Sequence, residues 1–167
     1  VEPILGAGGV IPADESFLRT IREVTRQHGI VMICDEVISL RQAVGGAQAY
    51  YGIVPDLTTM AKIIGGGYAI GAVGGLNEFM SILNAPEDGG LVANLGTFSA
   101  NPMSTQAGVV SMNLLDEAAI GELNRRGEKA RGGLSEVIAR HHAPAQVAGT
   151  GSILQINWKT ANVTARR

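Results

Sequence analysis

The run Ile30-Val31-Met32-Ile33-Cys34, closed by Asp35-Glu36, constrains the fold more than any other segment. An unbroken apolar run of strand length predicts a strand buried on both faces, as in a parallel sheet packed between helices. Just upstream, residues 15–28 place Phe17, Leu18, Ile21 and Val24 at helical spacing, and Gly29 is a helix stop. Helix, tight turn, buried strand, then acid at the strand's carboxyl end is the order of an α/β protein. In such sheets ligands gather beyond the carboxyl ends of strands. Asp35 and Glu36 therefore stand where chemistry is expected.

The remainder of the chain extends this pattern. Pro55-Asp56 leads into a second short strand over 57–61, with Lys62 at its end. Gly65-Gly66-Gly67 interrupts the chain, residues 69–75 read as a strand of small side chains, and a helix is expected near 76–83. A polar, glycine-rich loop over 86–90 precedes Gly96-Thr97-Phe98-Ser99. Pro102 opens a helical stretch to about 118, a second covers roughly 120–141, and residues 152–158 read as a strand of a smaller unit. The chain starts inside a strand-to-loop passage and stops just after a strand-like segment, so a fragment is expected.

Composition excludes several function classes. The net charge is −2 and the basic residues are dispersed, so neither nucleic acid nor an anionic membrane surface is an expected partner. No apolar run approaches the roughly 18–20 residues that cross a bilayer. Cys34 is the single cysteine, which rules out an internal disulfide and suits a reducing, cytoplasmic compartment. His28, His141 and His142 show no ligand spacing with Cys34 or the carboxylates, so no metal site is expected and helix-end, solvated roles suit all three. The apolar run ending in Asp35-Glu36 would also suit the metal-binding strand of a nucleotide hydrolase. No lysine here follows a glycine as a phosphate loop requires, which weakens that reading but leaves it open if the loop lies upstream. The glycines of 65–75 do not match the dinucleotide fingerprint either.

Lys62 carries the sharper hypothesis. Small residues precede it and glycines come after it, so nothing bulky crowds its amine. A lysine that condenses with an aldehyde must offer a neutral amine, which partial burial at a strand end favours. On spacing alone a solvated lysine is the commoner outcome. Asp35, at the end of a neighbouring strand, strengthens the other reading, because pyridoxal phosphate needs an acid for its ring nitrogen as well as a lysine.

The stretches CDEV (34–37), GGAQAYYGIVPDLTTMAKIIGGGYAIGAVGG (45–75) and GTFSANP (96–102), with LNRRGEKARGGL (123–134) and GTGSILQINW (149–158), resemble the class III aminotransferases. These are fold-type-I pyridoxal-phosphate enzymes, a group that includes glutamate-1-semialdehyde aminomutase. The resemblance implies an α/β fold with a mostly parallel sheet flanked by helices. It divides the chain into the later part of a large cofactor domain (1–115) and the start of a small C-terminal α+β domain (116–167).

By the same resemblance Lys62 binds the cofactor aldehyde, Asp35 pairs with the pyridine nitrogen, Val37 packs on one ring face, and Thr97 binds the cofactor phosphate of the other subunit of a homodimer. Bland alternatives stand beside these: Asp35 as a strand-end cap, Val37 as plain core, Thr97 as a helix-entry hydroxyl. The expected reaction moves an amino group between an amine or amino acid and a keto compound. In the aminomutases the acidic motif is typically followed by Thr-Gly-Phe-Arg. Here the motif runs on into Ile38-Ser39-Leu40-Arg41, and the segment before Gly45-Gly46 is one residue shorter. That favours an ordinary transaminase, with the aminomutase and an inactive, dimer-contact remnant as alternatives. Arg41 is a candidate for a substrate carboxylate or, equally, a solvated loop charge.

Overall fold

The computed structural model describes residues 1–84, 88, 90–92 and 96–159. The loop expected over 86–90 falls largely outside them. The chain opens with a short antiparallel pair, β1 (Ile4–Leu5) and β2 (Ile11–Pro12). Helix α1 (Glu15–Gln27) starts where the Asp14 side chain accepts from the amides of Ser16 and Phe17, satisfying orphan donors of the first turn. It ends at His28, with Gly29 in the left-handed region at φ 63°.

The central sheet has three strands: β3 (Ile33–Asp35), β4 (Leu57–Ala61) and β5 (Gly71–Gly75). β3 and β4 run parallel, with Ile33 opposite Leu57 and Asp35 opposite Thr59. β5 returns antiparallel to β4, with Ala61 opposite Gly71. The crossover from β3 to β4 contains a 3-10 turn (Ser39–Gln42) and the short helix α2 (Gly46–Tyr50).

Two small cores hold these parts together. Leu18, Met32 and Ile53 form one, and Ile4, Val10, Ala47 and Ile153 the other, with Tyr51 packed against both. The expected burial of β3 on both faces is corrected. Met32 and Cys34 point inward, while Ile33, Val31 and Ile30 are exposed at 44%, 40% and 55%. From Val31 to Cys34 the run thus alternates as a strand must. Among the described residues, packing from α1 and the segment ending at Ile53 covers one side of it only.

The helix expected near 76–83 is a single turn, α3 (Asn77–Met80), running into a 3-10 turn (Ser81–Leu83). Helix α4 (Pro102–Leu114) has proline in its first turn, and Asn101 accepts from the Ser104 amide. It stops earlier than expected because Asp116 caps a new helix, α5 (Glu117–Arg140), by accepting from Ala119 N. The three histidines are exposed at helix ends, as read from the sequence. β6 (Ala145–Thr150) and β7 (Ile153–Trp158) form an antiparallel hairpin. The sequence pattern does not announce β6. Among the described residues no helix is long and apolar enough to cross a membrane.

Candidate active site

The site begins where β3 ends. Asp35 is half-buried, and its Oδ1 accepts from the amide of Val37 at 3.0 Å, which tightens the turn away from the strand. The strand-end cap foreseen for Asp35 is therefore present, using one carboxylate oxygen. Glu36 is fully buried and points the other way. Its carboxylate accepts from the amides of Ala47 (3.1 Å) and Gln48 (2.6 Å) and from the Ser39 hydroxyl. This carboxylate ties the two ends of the 36–48 segment together, and Val37 and Arg41 ride on that segment. Burial, and next the Glu36 charge, push the neighbouring Cys34 thiol up to about 12, so it is protonated and inert.

Lys62 comes directly after β4. Along β4, Thr59 and Ala61 share one face, and Thr58 and Met60 the other. Lys62 has φ 52°, which breaks this alternation. A non-glycine residue there is held against a cost of about 1–3 kcal/mol, a kind of outlier that concentrates at functional positions. The partial burial expected of Lys62 is not found; its side chain is exposed.

Lys62 lines a cavity of about 250 Å³ with Val37, Ile38, Arg41, Ile63, Ser152 and Ile153. The structure thus brings together three of the residues singled out in the sequence, Lys62, Val37 and Arg41. Val37 is half-buried at the cavity wall rather than in either core. Arg41 is also half-buried, and its Nε donates to Ser152 Oγ at 3.0 Å. No ion pair engages it among the described residues.

Asp35 stands outside the cavity lining, one strand over and three residues short of Lys62 in register. Strand spacing puts the two Cα atoms roughly 10–11 Å apart. Thr97 is exposed in the turn before α4 and does not line the cavity. It is not the helix-entry cap, a role filled by Asn101. A larger hollow of about 360 Å³ between α4 and α5 is walled by leucines, with Glu122 and Arg126 at its rim, and these two pair with each other.

Sequence reading missed Ser152 and Ile153. They arrive on the turn between β6 and β7, which is anchored from α5: Ser152 N donates to Asn124 Oδ1 at 3.0 Å and Gly151 N to Glu128 Oε1 at 2.9 Å. Gln42 adds a bond to Thr150 Oγ1 at 3.3 Å. The local signal was the Gly-Thr-Gly of 149–151, whose outer glycines take φ 144° and 52°. What this tight turn would meet, more than 100 residues from Arg41, has no local signature.

The structure thus sets an amine at a cavity edge, an aliphatic wall beside it and a carboxylate on the next strand. The family model of class-III aminotransferases matches residues 1–166, and the chain belongs to that family. A glutamate-1-semialdehyde 2,1-aminomutase from Methanosphaera stadtmanae is 40% identical over 93% of this chain and 36% of its own length.

Among solved structures, an omega-transaminase from Sphaerobacter thermophilus superposes with TM-score 0.83 at 44% identity, covering 92% of this chain and 35% of that one. A transaminase with PLP bound gives TM-score 0.87 at 33% identity, over 93% of this chain and 37% of that one. The architecture is that of the fold-type-I transferases. The chain spans a little over a third of the length of the relatives it matches.

Proposed function

We propose that this chain carries the lysine-bearing part of a pyridoxal-phosphate-dependent transaminase, in which Lys62 holds the cofactor and Arg41 receives a substrate carboxylate. The observation that carries the reading is the shared cavity. Lys62 from the end of β4 and Val37 and Arg41 from the segment after β3 meet at one opening. Asp35 fits the group from outside that lining: the register separation is one that a long lysine side chain and a single six-membered ring fill between them. One Asp35 oxygen is held by the Val37 amide, which fixes the carboxylate and leaves the second oxygen for a ring N–H.

Bound pyridoxal phosphate supplies an aldehyde that captures amines and a cationic ring that withdraws electrons from the carbon losing its proton. Everything else falls to the protein. Asp35 keeps the ring nitrogen protonated, since an opposite charge in contact favours the cation. Val37 and its aliphatic neighbours press on the ring face and exclude water. Lys62 would hold the aldehyde carbon and, as a free amine, would move a proton between the substrate Cα and cofactor C4′. Arg41, already oriented through Nε by Ser152, offers its remaining N–H groups to a carboxylate. Thr97, exposed at the entry to α4, contacts the cofactor phosphate of a partner subunit in a homodimer. Residues 1–115 belong to the large cofactor domain and 116–167 to the start of the small one. A single buried thiol suits a reducing cytoplasm.

Borohydride reduction of the full-length protein loaded with pyridoxal phosphate, with peptide mass mapping afterwards, tests this. The adduct is expected on Lys62 and lost in Lys62→Ala together with turnover. An adduct on Lys129 or Lys159, or full turnover by Lys62→Ala, refutes the assignment.

The aminomutase is the second reading, favoured by the relative from Methanosphaera stadtmanae. It predicts 5-aminolevulinate from glutamate-1-semialdehyde without a keto acceptor, whereas a transaminase requires one. The Ile38–Arg41 run keeps the transaminase first. An inactive remnant would give neither adduct nor product.

A further inference from the structure

We infer that α4 sets the position of Lys62, with Ser104, Gly108 and Ser111 as its positioning residues; this rests on the reading of Lys62 as the cofactor-holding amine. The helix is built against the usual pattern. Its outward side exposes Met103, Val109, Val110 and Met112, while the residues turned toward the lysine segment are small or hydroxylic. Ser104, Gly108 and Ser111 have the spacing of one helix face.

Each meets the chain just after Lys62. Ser111 Oγ donates to the carbonyl of Ile63 at 3.2 Å. Ser104, 4% exposed, donates through Oγ to the carbonyl of Ala69 at 2.7 Å. Between these two anchors the backbones approach closely. A Cβ on Gly108 would lie 2.4 Å from the Ile64 carbonyl oxygen, and one on Gly66 (φ 57°) 2.4 Å from the Ala107 carbonyl oxygen. The 63–69 segment is therefore fastened at both ends and pressed flat in the middle.

Lys62 immediately precedes the fastened stretch and holds a left-handed φ that nothing in its own sequence favours. Its direction is inherited from the anchored 63–69 segment. Leucines at 104, 108 and 111 would bury more apolar surface, but they would push the helix off and leave two carbonyls without these donors. The helix gives up burial on this face and gains a fixed location for the lysine.

The test uses the full-length protein and compares Gly108→Ala, Ser111→Ala and Ser111→Thr, with Gly133→Ala on open α5 surface as control. Three quantities are read: the dissociation constant for pyridoxal phosphate, the pH midpoint of the bound cofactor's visible absorbance, and the thermal midpoint without cofactor. Gly108→Ala is expected to weaken cofactor binding about tenfold, since sub-ångström to ångström displacement of a reacting group has effects of that order or larger. It should also move the absorbance midpoint by roughly half a pH unit as the surroundings of the amine change. Ser111→Ala should weaken binding about threefold, the scale of one net hydrogen bond, and Ser111→Thr should restore it.

Unchanged affinity and absorbance midpoint in both Gly108→Ala and Ser111→Ala, with the borohydride adduct still on Lys62, would overturn the inference and leave the Lys62 assignment standing. If Gly108→Ala does not fold, the Ser111 pair decides alone: loss with alanine and recovery with threonine supports positioning, and wild-type values in both refute it. An adduct elsewhere than Lys62 in the wild type removes both readings.

Discussion

Replacing Glu36 by Gln and by Met separates two opposed expectations about a fully buried carboxylate. Burying a charge is costly, and an apolar side chain of similar volume in place of a buried ion pair is often neutral or stabilising. Here, however, the carboxylate's partners are fixed. It accepts from two backbone amides, Ala47 N and Gln48 N, as well as from the Ser39 hydroxyl. Gly46 has φ 83°, and a Cβ there would lie 2.7 Å from Oε1, so the loop has closed tightly around the acid.

The amides cannot be mutated away, and Ala47 is fully buried. Each donor left without a partner costs about 1–3 kcal/mol. Met removes the acceptors of both amides and should cost about 2–6 kcal/mol, less whatever desolvation it relieves. Gln keeps one acceptor oxygen and turns an NH2 toward the other donor, for about 2–4 kcal/mol. At roughly 2–4 °C per kcal/mol for a domain of this size, Glu36→Gln lowers the thermal midpoint by about 5–15 °C, and Glu36→Met by more. Thermal unfolding monitored by far-UV circular dichroism reads both. A Met variant as stable as wild type, or more stable than the Gln variant, would refute the reasoning, because desolvation of the charge would then outweigh the orphaned amides.

Two other sets of contacts carry expectations of their own. Burial alone would raise the Asp56 carboxyl, but the Met32 amide at 2.6 Å and Arg22 Nη1 at 3.0 Å outweigh it and hold the group below its ordinary 3.8. Because the folded value is the lower one, the stability it contributes is present above pH 3.8 and is lost as pH falls through the folded value. Asp56→Asn should flatten that acid limb in urea unfolding measured between neutral and acid pH; an unchanged slope would count against the pairing. Among the glycines of α5, a Cβ on Gly127 would lie 2.1 Å from the Gly151 carbonyl oxygen, whereas Gly132 has nothing within 4 Å. Gly127→Ala should therefore destabilise by about 1–3 kcal/mol and Gly132→Ala stabilise by up to about 1 kcal/mol, a contrast in sign that one pair of urea titrations checks.

The parts of this fold legible in the sequence are those that local rules decide. The amphipathic repeat over 15–28 and Gly29 after it bounded α1, because periodicity and helix stops act within a few residues; the Asp14 cap came only with the structure. Leu57–Ala61 was legible as a strand for the same reason. The unbroken run at 30–34 misled about its environment, since periodicity reports which residues are apolar and not which face finds a partner. Within the described residues the partner is missing on one side. The pair β6 and β7 was half legible: Ile153–Trp158 has strand chemistry of its own, while Ala145–Thr150 contains two small residues and a glycine and is a strand because its neighbour is.

The site divides along a similar line. Lys62 and Asp35 were nominated from residue type and strand-end placement, and the register of β3 against β4 gives that nomination a geometry. Ser152 was invisible because its role depends on a turn held by Asn124, Glu128 and Gln42, residues from two other elements. The α4 face was invisible for a different reason. Serine and glycine inside a helix read as weak helix formers, and their worth emerges only when a backbone carbonyl stands opposite. A chain that places hydroxyls and bare Cα atoms against the segment after its lysine, and leaves valine and methionine outside, has its most constrained surface where hydropathy is least informative. The residues that aim Lys62 are therefore to be sought among the small ones facing its turn, ahead of the large ones that line the cavity.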